Sequence, residues 1–238
     1  MSLRSAISFL TPVGGARAPG PSTLDWFWLV GTGVGAAVGA VWWVAARAWP
    51  RPLAAGIAVA ADLALTGMLH FDGLLDSADG LLPAVERSQR LEIMSAPDVG
   101  AFAVGAGAVA LLLRWAAMWV LRPAVLLVAG LWCLSRTAMA LVARTQPYAR
   151  ADNGGGLASA FAGQLRFFPL VLGTGVAVCA VCLWRPLAGG AAVAAAALAG
   201  TGVIVLARRR LGGYTGDVLG ACGFVAETVG LLVAAAKW

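Results

Sequence analysis

Apolar residues fill this chain in long runs, and the polar ones gather in a few short stretches between them. A helix needs about 20 predominantly apolar residues to cross the hydrocarbon of a bilayer, a number that tilt and local thinning relax. The pattern therefore predicts seven spans, over residues 27–46, 52–69, 99–121, 123–143, 168–184, 187–206 and 218–236. The fifth is short and the third contains Arg114, so the count ranges from six to eight. The predicted fold class is all-α: a polytopic membrane helical bundle forming a single domain over residues 1–238.

Composition agrees. The chain is 61% hydrophobic and only 12% charged, with mean hydropathy +0.85, whereas soluble domains are about half apolar and a quarter charged. Residues 1–11 hold an apolar run too short for a secretory signal, so no cleaved leader is expected. Gly31, Gly35 and Gly39 form a small face suited to close helix packing. Trp26, Trp28, Trp42, Trp43 and Trp49 are expected to form an interfacial belt. Cys133, Cys179, Cys182 and Cys222 all fall in predicted spans and are read as packing residues.

Orientation follows from the basic residues, which accumulate on the cytoplasmic side. With seven spans, one side collects ten (Arg4, Arg17, Arg87, Arg90, Arg144, Arg150, Arg166, Arg208, Arg209, Arg210) and the other six (Arg47, Arg51, Arg114, Arg122, Arg185, Lys237), with Arg136 inside a span. The amino terminus is therefore expected in the cytoplasm. The net charge of +6 suits anionic headgroups of the lipid bilayer or an anionic substrate, and nothing suggests a nucleic-acid partner. Asp62 and Glu227 lie within spans and should face a partner or an aqueous cavity, with Arg136 a candidate partner for Asp62.

Six of the eleven carboxylates, Asp72, Asp76, Asp79, Glu86, Glu92 and Asp98, fall in one stretch that begins His70-Phe71-Asp72-Gly73-Leu74-Leu75-Asp76-Ser77-Ala78-Asp79-Gly80. At about 100° per residue, Asp76 lies about 40° and Asp79 about 20° from Asp72, so three carboxylates share a stripe. They repel one another unless a cation intervenes, and hard divalent cations such as Mg²⁺ are held by such oxygens. Gly73 and Gly80 flank the stripe, where a missing Cβ lets a phosphate or a backbone approach. His70, about 160° from Asp72, reaches the site only if the helix starts after it.

Two further polar loops share the predicted cytoplasmic face. Arg144 to Gly156 contains Tyr148, Arg150 and Asn153 and is rich in donors, as expected of a segment that closes over an anion. Arg208 to Asp217 adds Arg210, Gly213 and Thr215, and its glycines before an acid suggest a phosphate nest with a further metal ligand. A flexible linker and a simple cap for the last span are the competing readings.

These blocks resemble the cobalamin synthase family, also called adenosylcobinamide-GDP ribazoletransferases. The resemblance is carried by His70 to Leu81, Arg90-Leu91-Glu92-Ile93-Met94, Pro147-Tyr148-Ala149-Arg150 and Leu211 to Ala221, with Phe9-Leu10-Thr11-Pro12 similar to the amino-terminal block. It implies a bacterial inner-membrane, multi-pass, Mg²⁺-dependent transferase of cobalamin biosynthesis. Such an enzyme joins adenosylcobinamide-GDP to α-ribazole, or its 5′-phosphate, and releases GMP. The domain is then catalytic and its site faces the cytoplasm. The family pattern has Lys-Asp-Ser where this chain has Ser95-Ala96-Pro97, so Asp98 is the nearest replacement for the acid missing at Ala96.

The resulting assignment places Mg²⁺ on Asp72, Asp76, Asp79 and Asp217. His70 and Asp79 are the candidate catalytic groups. Gly73, Gly80, Arg90, Arg136, Arg150, Asn153, Arg210, Gly213 and Thr215 are the expected substrate contacts. A homo-oligomer is compatible with this reading. Two other classes compete: a CDP-alcohol phosphotransferase, whose usual continuation is absent after Asp79, and an ion-coupled transporter using Asp62, Arg136 and Glu227.

Overall fold

The computed structural model describes residues 2–15, 17–20, 22–150 and 166–238. Its helices are α1 (Ser2–Leu10), α2 (Phe27–Ala48), α3 (Arg51–Leu65), α4 (Leu69–Leu81), α5 (Arg87–Ile93), α6 (Ala101–Val120), α7 (Val125–Thr145), α8 (Phe167–Trp184), α9 (Pro186–Leu211) and α10 (Gly216–Ala234). The only extended pairing among the described residues is a single bridge between Tyr148 and Tyr214.

Six of these helices are long and apolar enough to cross a membrane: α2 with the turn before it, and α6 to α10. The predicted span over 52–69 is instead broken. α3 stops at Leu65, and α4 leaves at 87° to it. The cause is local: Gly67 and Met68 both take left-handed backbone, φ 57° and 60°, which no α-helix continues through. Counted together as one span, the bent pair brings the candidate crossings from six to seven.

Successive crossings run antiparallel, and small residues set the contacts. A Cβ on Gly31 would meet Trp132 and Arg136 of α7, and one on Gly39 would meet Val125, so α2 descends where α7 rises. Gly200 against Cys222 and Gly230 against Ala196 show the same relation between α9 and α10. This alternation brings α1, the turn after α4, α5, and the α7–α8 and α9–α10 connections to one end of the bundle. All three polar motifs therefore meet at that end.

The interior of the bundle holds a paired charge network. Arg114 on α6 is fully buried and donates to Asp62 of α3, to Glu227 Oε2 (3.0 Å) and the Phe224 carbonyl (2.9 Å) of α10, and to Thr228 Oγ1 (3.0 Å). Arg136 on α7 pairs with the other oxygen of Glu227, which also accepts from Ser135. Trp132 Nε1 donates to Asp62 at 2.8 Å. The expected Asp62–Arg136 pair is thus corrected. Arg114 bridges Asp62 and Glu227, and Arg136 takes the other oxygen of Glu227, so both carboxylates of the network are met by a guanidinium, as burial of charge requires. Trp42 also departs from the expected belt: it is buried, whereas Trp43 and Trp49 are exposed. All four cysteines are free thiols.

Candidate active site

α4 presents its small residues to α10. A Cβ on Gly73 would come within 2.6 Å of the Asp217 carbonyl oxygen, and Gly220 lies against the His70 backbone. This close approach draws the start of α10 onto the acidic stripe. The Asp76 carboxylate, partly buried, is consequently repelled by those of Asp217, Asp72 and Asp79. Asp72 and Asp217 line a cavity of about 240 Å³ together with Phe9, His70, Tyr148, Arg150 and Thr215.

Backbone pairing holds the two distant loops over this cavity. Tyr214 N donates to the Pro147 carbonyl (3.0 Å), and Ala149 N to the Tyr214 carbonyl (2.8 Å). Gly213 permits the approach, since a Cβ there would overlap Pro147. Arg87, which the sequence reading did not single out, clamps both loops: Nε reaches the Leu211 carbonyl (2.7 Å) and Nη2 the Ala149 carbonyl (3.0 Å). Buried Tyr214 donates its hydroxyl to the Ala143 carbonyl (3.2 Å), and burial, with Tyr148 beside it, raises that hydroxyl to about 12.

The Arg150 guanidinium sits 3.7 Å from the Asp217 carboxylate and 3.4 Å from the Met94 carbonyl, while its Nε finds no partner among the described residues. Thr215 caps α10, accepting from Val218 N (3.2 Å), and donates to Asp217 Oδ2 (3.2 Å). The N-cap of α10 is thus Thr215 and not Asp217, which stands in the first turn.

Several other expected site residues serve the scaffold. Asp79 is buried and accepts from Gly100 N (2.6 Å) and Ala103 N (2.9 Å), so its carboxylate caps α6. Buried Arg90 caps the C-terminal end of α4, donating to the carbonyls of Gly80 (2.8 Å) and Leu81 (3.2 Å). Gly80 makes room for Met94. Arg136 belongs to the interior network and does not line the cavity. His70 falls inside α4, buried, with Nδ1 3.5 Å from Arg136 Nη2. Arg210 is exposed in the last turn of α9, and Gly212 behind it takes φ 77° to end that helix. Asp98 is exposed and does not line the cavity. Asn153 lies outside the described residues, as do Gly154 to Gly156.

Among the described residues no three His, Cys, Asp or Glu side chains are grouped closely enough to hold a metal ion. The donor set nevertheless fits a hard cation in kind: Asp72, Asp76 and Asp217 offer carboxylate oxygens whose mutual repulsion a divalent ion relieves.

A family model described as cobalamin-5-phosphate synthase matches residues 2–235. The chain is 38% identical over 224 residues to the adenosylcobinamide-GDP ribazoletransferase of Chlorobaculum tepidum, covering 90% of this chain and 85% of that protein. It is 35% identical over 244 residues to the protein of the same name from Bradyrhizobium diazoefficiens, covering 98% and 93%. No solved structure matches.

Proposed function

The chain belongs to the cobalamin-5-phosphate synthase family, and on that premise we propose that it joins adenosylcobinamide-GDP to α-ribazole or its 5′-phosphate with release of GMP. The observation that carries this reading is that Asp72, Arg150 and Asp217, from three separate motifs, line one cavity at one end of the bundle, with Asp76 near enough to be repelled by both aspartates. The intramembrane charges of a transporter, by contrast, are all committed to one another.

In the transfer, the ribazole hydroxyl oxygen forms a bond to the corrinoid-side phosphorus. The bridging P–O bond breaks, and GMP leaves with its electron pair. Asp72, Asp76 and Asp217 would hold Mg²⁺, which would supply countercharge to the phosphate oxygens. Arg150 has an unengaged Nε with which to orient a phosphate oxygen. A carboxylate of the same set accepts the hydroxyl proton. Tyr148 and Phe9 give the cavity an aromatic wall.

The site faces the cytoplasm in this reading, because its end of the bundle carries the larger share of arginines, and the membrane is the bacterial inner one. The decisive experiment mixes the purified chain with adenosylcobinamide-GDP, α-ribazole and a Mg²⁺ series, and measures GMP. Release of GMP that depends on both ribazole and Mg²⁺ is expected. GMP formed without ribazole, or none at any Mg²⁺ concentration, would overturn the assignment.

A further inference from the structure

His70 is the one histidine of the chain. It is 2% exposed, yet it lines the cavity with Asp72, Arg150 and Asp217. Its Nδ1 lies 3.5 Å from Nη2 of Arg136. A guanidinium has only N–H groups to offer, so Nδ1 meets it as an acceptor. Arg136 is not free to turn away, because Glu227 and Ser135 hold it. A neutral imidazole carries one proton, and with the lone pair on Nδ1 that proton is on Nε2. Nε2 has no hydrogen-bond partner among the described residues. A buried donor is rarely left in that condition, and a cavity that receives a ligand is the place where it is tolerated.

We infer that His70 donates its Nε2 proton to an anionic phosphate oxygen of the bound substrate, with Arg136 as the residue that sets this tautomer; it is not the base that activates the ribazole hydroxyl. The acceptor is identified by the chemistry of the cavity, where Arg150 offers a second unengaged N–H. The inference rests on the proposed transfer for the identity of that acceptor. The tautomer does not depend on it.

With a single histidine, the test is direct. The full chain is labelled with ¹⁵N-histidine, carries an affinity tag free of histidine, and is studied in micelles. One directly protonated nitrogen, Nε2, and one bare nitrogen, Nδ1, are expected, and adenosylcobinamide-GDP should shift the Nε2–H resonance. A proton on Nδ1 overturns the inference, as does an Nε2–H signal that ignores the substrate while GMP is being formed.

In turnover, His70→Gln retains an N–H near the same place and is expected within about tenfold of the parent, whereas His70→Ala falls about 10- to 100-fold, the loss typical of a hydrogen bond to a charged group. A folded His70→Gln as inactive as His70→Ala overturns the donor role. Arg136→Met should mix the two tautomers, a change that a purely structural loss would not produce. Failure of the parent chain to release GMP overturns the transfer, and with it the phosphate acceptor, and is distinguished from these outcomes by a tautomer that still reads as inferred.

Discussion

Gly73 and Asp217 meet backbone to backbone: a Cβ on the glycine would stand 2.6 Å from the aspartate's carbonyl oxygen. This contact joins the acidic helix to the last crossing and sets how near Asp217 comes to Asp76. Gly73→Ala is therefore expected to push α4 and α10 apart, at about 1–3 kcal/mol, the usual cost of overpacking. Gly202→Ala is the control, because a Cβ there meets nothing within 4 Å. Thermal unfolding and GMP release measured on both variants check this. Equal behaviour of the two would remove Gly73 from the packing of the site.

On the proposed assignment the carboxylates separate into two roles. Asp72→Asn, Asp76→Asn and Asp217→Asn should each lower turnover by about 100-fold and raise the Mg²⁺ requirement, with little change in unfolding temperature. Their double variants should lose less than the sum, since they act as one unit. Asp79→Ala should behave oppositely. Losing a cap that serves Gly100 N and Ala103 N costs about 1–2 kcal/mol and leaves the Mg²⁺ dependence of the remaining activity unchanged. A Mg²⁺ titration beside a melting curve distinguishes the two classes, and a shifted Mg²⁺ requirement in Asp79→Ala would return Asp79 to the metal set.

Tyr214 gives the loops a pH dependence. Burial, with Tyr148 nearby, raises its hydroxyl from the ordinary value of about 10 to about 12 in the folded chain. A raised value means that the neutral form is favoured by folding: the contribution is complete below pH 10 and lost as pH climbs toward 12. Tyr214→Phe should flatten that alkaline decline, while costing about 1 kcal/mol at neutral pH for the lost bond to the Ala143 carbonyl. Melting temperatures from pH 8 to 11.5 test it, and an unchanged alkaline slope would assign the decline to another group.

The polar motifs were legible because they interrupt a chain that is otherwise apolar, and the parity of the spans brought Asp217 to the end that carries Asp76. Helix periodicity also placed the acids of α4 on one side. What periodicity does not contain is the rotation of one helix against another. The choice of Arg114 rather than Arg136 for Asp62 depends on that rotation, and counting Arg114 with the loop charges concealed it. The capping roles of Asp79 and Arg90 were hidden for a similar reason, since a carboxylate or guanidinium becomes a cap only when the end of another segment lands beside it. The break at Gly67 and Met68 carried one visible signal, the glycine, within a run that otherwise read as a single span.

Arg114 offers the sharpest separation of scaffold from chemistry. It satisfies Asp62, Glu227, Thr228 and the Phe224 carbonyl at once, and its guanidinium lies 3.6 Å from the centre of the Phe224 ring. Arg114→Leu leaves two buried carboxylates to one remaining guanidinium, Arg136, and should destabilise the bundle by about 3–5 kcal/mol. Arg114→Lys is expected to recover little, because a single ammonium cannot span this planar set of acceptors. Adding Asp62→Asn to Arg114→Leu restores the charge balance, keeps an oxygen for Trp132 Nε1, and leaves Glu227 with Arg136. Neither Asp62 nor Arg114 lines the cavity. The double variant should thus regain most of the lost melting temperature and, with it, GMP release. A double variant that melts like the parent but releases no GMP would instead place the network in the reaction itself.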